Sequence, residues 1–212
     1  MEIYNPDDQV ATLKNWWRQY GRALITGVVI GIVVLSVLAY WRQYRAQQGQ
    51  EASVLYDGLQ ADLQQGKLEG AQTTAAKLMQ DYAATPYAGK AALMAARMRF
   101  DSNDLAGSRQ ALEWAANNAQ EAAVQHSARL RLGRLLLEQK EYDAALKLAE
   151  TRDQGGFESE YAELRGDVLL AKGETRAARE AYQVALDKLP AGSGYGKWLA
   201  MKRDHITAGA AP

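Results

Sequence analysis

Hydrophobic and polar positions divide the chain into two parts. Residues 23–41 form one apolar run without a charged side chain. A helix of that length spans about 28 Å, close to the roughly 30 Å thickness of a bilayer's hydrocarbon core. From residue 51 onward, apolar positions recur at helical spacing between short polar turns. The pattern predicts an all-α protein with a single N-terminal transmembrane helix followed by a helical domain.

The apolar run could be a signal peptide, a buried core helix or a permanent anchor. A signal peptide has an apolar stretch of only about 7–15 residues before a small-residue cleavage site. A core helix is usually shorter and has a polar face. Aromatic residues flank this run on both sides, as is typical of the two interfaces of a bilayer. We therefore predict an uncleaved anchor with the interface residues Trp16, Trp17, Tyr20, Tyr40 and Trp41.

The segment before the anchor, residues 1–22, combines apolar and basic positions. Val10 and Leu13 share a helical face with the aromatic residues, and Lys14 and Arg18 lie beside it. This arrangement predicts an amphipathic helix at the membrane surface, and the alternative is an unstructured tail with a few interface anchors. Three basic residues precede the span and two follow it, which favours a cytoplasmic N-terminus.

Small residues recur at every fourth position of the span. Ala23, Gly27 and Gly31 would share one face of the helix and allow another membrane helix to approach closely. Glycine is also generally common in transmembrane helices. A lateral helix contact and a merely permissive glycine content both remain open at this point.

The part of the chain after the span contains an internal repeat. Residues 130–150 align with residues 163–190, so that Gly133 matches Gly166 at an offset of 33. Small residues at positions 71, 108, 145 and 178 extend the pattern to four copies. In tetratricopeptide repeats such residues lie where two paired helices cross closely. The spacing therefore predicts a tetratricopeptide-like α-solenoid of about four helix pairs with a C-terminal capping helix.

The repeat alignment also assigns the elements and the domain limits. The predicted helices are 51–64, 68–83, 87–101, 105–117, 121–139, 142–150, 158–171, 175–189 and the capping helix 195–205, and the first of them could continue directly from the span. The predicted divisions are a tail at 1–22, the transmembrane helix at 23–41, a juxtamembrane stalk at 42–50, the repeat domain at 51–207 and a disordered tail at 208–212.

Composition argues against catalysis and nucleic-acid binding. The chain has no cysteine and two histidines, His126 and His205, neither of them near other ligand-type residues at metal-binding spacing. No nucleophile, phosphate-loop or zinc-protease motif occurs. After residue 45 there are 20 basic and 22 acidic residues, which is not the footprint of a nucleic-acid binder. We expect no catalytic residue, no metal, no cofactor and no nucleic acid, and we expect both histidines at the surface.

The first helices of the repeats supply the candidate binding residues. In a tetratricopeptide stack these helices line a groove that takes peptides or helices. Arg134, Glu163 and Asp167 fall on that face and are the predicted groove residues. Other nearby residues are predicted to be packed in the core or the cap, with groove lining as the alternative for the leucines and client contact for the tryptophans: Leu130, Leu137, Leu170, Trp114 and Trp198.

Several segments of the sequence carry a family resemblance. "MEIY" at 1–4, "DQV" at 8–10, "WWRQYG" at 16–21 and "AELRGDVLL" at 162–170 occur in the order tail, span and repeats. In these segments and this order the chain resembles the YfgM family, the ancillary SecYEG translocon subunits of the bacterial inner membrane. The resemblance covers essentially the full chain and brings no catalytic residues with it.

The resemblance implies a location and a set of partners. It implies a cytoplasmic N-terminus, a periplasmic repeat domain, and association with the SecYEG translocon and a PpiD-type periplasmic chaperone. The expected function is to help pass newly exported chains to periplasmic chaperones, with contacts to nascent exported proteins and to membrane lipid. A membrane-tethered scaffold for other envelope complexes, without exported clients, is the first alternative. An enzyme is the second, and the missing motifs argue against it.

Overall fold

The computed structural model describes residues 6–190 and 192–208, and for 6–13, 15, 23, 207 and 208 it describes the backbone only. Within these residues the structure has nine helices and no strand. The helices are α1 Pro6–Gln64, α2 Leu68–Asp81, α3 Pro86–Asp101, α4 Leu105–Asn118, α5 Ala122–Glu138, α6 Tyr142–Ala149, α7 Glu158–Ala171, α8 Thr175–Lys188 and α9 Gly196–Ala208. The chain divides into two units, 1–48 and 49–212, and each is described by itself.

The first unit consists of the N-terminal part of α1. Among the described residues, Trp16–Gln64 is the one helix long and apolar enough to cross a membrane, and no part of its most apolar window is buried. Helical backbone already begins at Pro6, inside the predicted tail. The side chains of Val10 and Leu13, on which the amphipathic face depends, and the whole of residues 1–4 lie outside the described part.

In each of the four helix pairs of the second unit, the same tight turn joins the first helix to the second. Each turn places one residue in the left-handed conformation, with φ between 62° and 83°: Gly66, Asn103, Lys140 and Gly173. The amide of the following residue then donates to a carbonyl five residues earlier, at 2.8–2.9 Å: Lys67 to Asp62, Asp104 to Arg99, Glu141 to Leu136 and Glu174 to Leu169. This hydrogen bond is the signature of a Schellman end and satisfies a carbonyl that the helix leaves unpaired. The four turns recur at the same offsets as the predicted small residues.

The small residues lie where the repeat prediction places them. Ala71, Ser108, Ala145 and Ala178 are each at most 2% exposed. Each begins the second turn of the second helix of a pair, where a larger side chain would push the first helix away. The predicted all-α solenoid of about four helix pairs is therefore confirmed, with α9 as the last helix.

The predicted helix limits agree with the structure to within three residues from α2 onward. The first predicted helix is the C-terminal part of α1, since no break separates it from the apolar run. Residue 208, placed in the disordered tail, is the last residue of α9, and residues 209–212 lie outside the described part.

The expectation that both histidines lie at the surface is wrong for His126. Its ring is 3% exposed, stacks on Phe157 at 5.3 Å between ring centroids, and lies 3.0 Å from the Tyr161 hydroxyl through Nδ1. The backbone of Gly155 passes directly against the other ring nitrogen, where no Cβ would fit. His126 therefore fastens α5 to the loop before α7. His205 is exposed, as expected.

Candidate binding face of the repeat domain

A buried carboxylate on α7 joins the last helix pair to α9. Glu163 is 3% exposed, although a glutamate is rarely buried without a partner. Its carboxylate accepts hydrogen bonds from the Tyr195 hydroxyl at 2.9 and 3.0 Å and from Lys202 Nζ at 2.8 Å. The charge and the polar oxygens of Glu163 are thus satisfied by the segment that begins just before α9.

The same lysine also binds the next acidic residue of α7. Lys202 Nζ donates to the two oxygens of Asp167 at 2.7 and 2.9 Å. The Tyr182 hydroxyl of α8 donates to Asp167 at 2.6 Å, and the Tyr182 ring lies 5.6 Å from Lys202 Nζ. We call Glu163, Asp167, Tyr182, Tyr195 and Lys202 the C-terminal cluster.

The cluster shifts the pKa values of its own members. Burial raises the pKa of Tyr182 and of Tyr195, and hydrogen bonds to Asp167 and Glu163 respectively raise them further. Burial alone would lower the pKa of Lys202, but its hydrogen bonds and charge interactions with Asp167 and Glu163 outweigh burial and raise it. All three groups therefore keep their protons beyond the pH at which they would lose them in water.

Two of the three predicted groove residues belong to this cluster and are covered by its other members. Glu163 and Asp167 face the segment 195–202 of their own chain. Arg134 remains half-exposed, with a guanidinium nitrogen 3.9 Å from Glu163 Oε2. The sequence pattern could not reveal this because the contacting residues are 32–39 positions apart and belong to no shared motif. The groove assignment stays a prediction, and Arg134 is the member whose side chain is accessible.

Arg134 lines a hollow that the sequence analysis did not identify. A hollow of about 550 Å³ lies between α3, α4 and α5. We call it the arginine hollow, and its accessible lining comprises Leu93, Arg97, Phe100, Arg131, Arg134 and Glu138. A pair of arginines three positions apart on α5, Arg131 and Arg134, was the available sequence signal, since such residues share one side of a helix.

A second hollow lies beside α9 and has an apolar lining. Its volume is about 820 Å³, and Leu170, Trp198 and Met201 line it. These three side chains are 39%, 50% and 62% exposed. The prediction that Leu170 and Trp198 are packed in the core or the cap is therefore wrong for both, because no other described helix covers these side chains. Leu130 is buried, and Trp114 and Leu137 are half-buried in the core, as predicted.

The predicted membrane residues whose side chains are described are not packed against other parts of the first unit. The interface aromatics are 46–70% exposed: Trp16, Trp17, Tyr20, Tyr40 and Trp41. Added Cβ atoms at Gly27 and Gly31 would meet nothing within 4 Å, so neither glycine is required by packing inside this chain. The side chain of Ala23, the third member of the small-residue face, is outside the described part.

No group of three or more histidine, cysteine, aspartate or glutamate side chains in the described ranges could hold a metal ion. The acidic residues of the C-terminal cluster are instead paired with a lysine and two tyrosines. That arrangement joins α7 to α8 and to the segment 195–202.

A family model for a tetratricopeptide repeat-like domain matches residues 14–208. An ancillary SecYEG translocon subunit of Escherichia coli (strain K12) is 31% identical over 190 residues, which cover 88% of this chain and 90% of the relative. A protein of the same name from Neisseria gonorrhoeae is 30% identical over 200 residues, covering 93% and 95%. One from Haemophilus influenzae is 26% identical over 179 residues, covering 84% and 87%. The chain belongs to the ancillary SecYEG translocon subunit family.

The family match extends over both units of the chain. The matched residues include the apolar part of α1 as well as all four helix pairs and α9. Ancillary SecYEG translocon subunits with tetratricopeptide-like repeats are a non-catalytic type of protein. The candidate span and the family together indicate a single-pass inner-membrane protein.

Proposed function

We propose that this chain is an inner-membrane subunit that associates with the SecYEG translocon, and that its repeat domain lies in the periplasm. The observation that carries the proposal is that relatives named for this role match over about nine-tenths of their length, through the span and the repeats alike. The excess of basic residues before the span supports a cytoplasmic N-terminus. The proposed domain limits are those of the sequence analysis, with the repeat domain at 51–207.

We further propose that the repeat domain binds partner proteins and helps pass newly exported chains to periplasmic chaperones, including a PpiD-type chaperone. The arginine hollow supports this, because it is an accessible recess with apolar and charged lining on helices that carry ligands in tetratricopeptide arrays. Anchoring beside the channel exit would raise the effective concentration of the domain near emerging chains, so weak binding would suffice. The proposed activity is binding and not catalysis.

The membrane part of the proposal rests on the small-residue face of the span. We propose that Ala23, Gly27 and Gly31 form the contact with a neighbouring membrane helix, because close helix approach in lipid depends on small side chains. The aromatic residues at the two ends then fix the depth of the span, with Trp16, Trp17, Tyr20, Tyr40 and Trp41 in the interfaces.

Replacing Gly27 and Gly31 together with leucine should reduce co-purification of translocon subunits with this chain in mild detergent by about tenfold. The leucines find open space within the chain itself, so the substitution changes only the outer face of the helix. The matched control is Val29→Leu with Val33→Leu, on the opposite face, which should leave co-purification unchanged. If the glycine variant and the valine variant recover equal amounts of translocon subunits, the proposed helix contact is refuted. If the unaltered chain recovers none, the association itself is refuted.

A further inference from the structure

The arginine hollow carries positive charge that the described residues do not neutralise. The Arg131 side chain has no ion pair or hydrogen bond anywhere in 6–190 or 192–208. Among the described residues, Arg134 has one ion pair, a long contact of 3.9 Å to Glu163, and that carboxylate also accepts hydrogen bonds from Lys202 and Tyr195. Arg97 is paired with Asp101 at 2.8 Å. The hollow therefore presents two guanidinium groups against one acidic lining residue, Glu138.

The floor of the same hollow is apolar and partly open. Phe100 is 39% exposed, and Leu93 is half-buried beside it. Both belong to α3, while the two arginines belong to α5. An exposed aromatic ring next to two accessible arginines has the composition that interface cores favour.

Elsewhere in the repeat domain, a charged surface is neutralised by a segment of opposite charge. Glu163 and Asp167 are covered by a segment of the chain itself that supplies a tyrosine and a lysine seven positions apart. No described segment covers the arginine hollow. A ligand for it must bring the opposite charge, because a basic segment would be repelled by Arg131 and Arg134.

We propose that the arginine hollow binds an acidic amphipathic segment of a partner protein, with one apolar side chain over Phe100 and carboxylates on Arg131 and Arg134. This proposal rests on the proposed function, for which it names the chemistry of the partner. Guanidinium groups three residues apart on a helix match carboxylates at a similar spacing and can bind each of them through two hydrogen bonds. An anionic lipid headgroup would satisfy the arginines, but it would leave the apolar floor between the helices unfilled.

The proposal is tested with two labelled peptides of about 14 residues, roughly four helical turns, that share one leucine pattern. One carries glutamate and the other lysine at every polar position. Their binding to the full chain in phosphatidylcholine nanodiscs is measured by fluorescence anisotropy. The glutamate peptide should bind at least about tenfold more tightly than the lysine peptide, and added salt should weaken it.

Two variants locate the binding. Arg131→Glu with Arg134→Gln should weaken glutamate-peptide binding by about tenfold. Phe100→Ala should also weaken the binding, but the dependence of the binding on salt should stay unchanged. The matched control Arg152→Glu with Arg176→Glu alters two arginines outside the hollow and should bind as the unaltered chain does. Circular dichroism checks that each variant is folded. The Arg131 side chain makes no hydrogen bond or ion pair within the described residues, so its replacement is expected to be tolerated.

Three results would overturn the proposal. Equal binding of the two peptides would show that the site does not select for acidic segments. An equal loss of binding in the control variant would show that the peptide does not bind at the arginine hollow. Loss of binding when phosphatidylglycerol is added to the nanodiscs would mean that lipid headgroups occupy the arginines. If the hollow variant still co-purifies with translocon subunits while peptide binding fails these tests, the proposed function stands and only this inference falls.

Discussion

Replacing Lys202 with alanine should weaken the attachment of α9 by about 3 kcal/mol, because it leaves a buried carboxylate without its cation. The Glu163 side chain is 4% exposed, and without Lys202 its remaining partners are the Tyr195 hydroxyl and Arg134 at 3.9 Å. Asp167 loses two hydrogen bonds at the same time. Backbone amides of α9 should then exchange with deuterium roughly a hundredfold faster, while amides in α3 and α4 keep their rates.

The matched control is Lys197→Ala, which removes an exposed lysine from the same helix and should change exchange little. A second variant separates charge from packing. Lys202→Met with Glu163→Gln removes the lysine and the charge of Glu163, and it should be clearly less destabilised than Lys202→Ala, since only the less buried Asp167 is left without its cation. If Lys202→Ala and Lys197→Ala exchange alike, the C-terminal cluster does not hold α9.

The same cluster should make the attachment of α9 sensitive to alkaline pH. The folded state raises the pKa of Tyr182, Tyr195 and Lys202 above their ordinary values, which are 10.0 for tyrosine and 10.5 for lysine. A raised pKa contributes stability that is fully present below the unfolded-state value and is lost as pH rises through the folded-state value. The protection of α9 amides, measured as their exchange rate relative to that of an unfolded chain at the same pH, should therefore stay constant up to about pH 10 and fall above it. Protection that stays constant to about pH 12 would contradict the assignment.

Replacing Gly166 with valine should lower the free energy of unfolding of the repeat domain by about 3 kcal/mol, because the site has no room for a side chain. An added Cβ would lie 2.6 Å from Cε1 of Tyr182. The Tyr182 ring is 1% exposed, and its hydroxyl is tied to Asp167, so it cannot turn aside. Urea unfolding of the full chain in detergent micelles, followed by circular dichroism, measures the change.

Gly58→Val is the matched control because Gly58 also lies within a helix but faces open space. Valine has a slightly better helix propensity than glycine, so this variant should be neutral or a few tenths of a kcal/mol more stable. Equal effects at the two positions would mean that helix propensity governs both, and the close approach of α7 and α8 at Gly166 would be refuted.

The repeat architecture was predictable because it depends on local chemistry. A left-handed turn residue and a small crossing residue five positions later recur in each copy, from Gly66 and Ala71 to Gly173 and Ala178. Asn103 and Lys140 show the limit of this signal. They adopt the glycine-like conformation at a cost of about 1 kcal/mol each, which the packing of the flanking helices outweighs.

The position of α9 and the burial of His126 were not predictable from the sequence. Both depend on side chains that meet across 30 or more residues: Lys202 with Glu163, and His126 with Tyr161. The spacing of apolar residues along a helix does not indicate which distant side chains will meet. In α7 it does not even indicate one buried face, because this helix has buried residues on several sides. The arginine hollow likewise requires the approach of α3 to α5, which the order of the helices alone does not specify.

The most direct test of the account is photocrosslinking in intact membranes from a benzoyl-phenylalanine at position 100, in the arginine hollow. An aromatic residue already occupies that position, so the probe changes the hollow little. A probe at Arg176 on α8, whose side chain is 95% exposed, is the matched control. The account predicts adducts with translocon subunits, a periplasmic chaperone and newly exported chains from position 100, and few from 176. Adducts only with cytosolic proteins, or the same adducts from both positions, would contradict it.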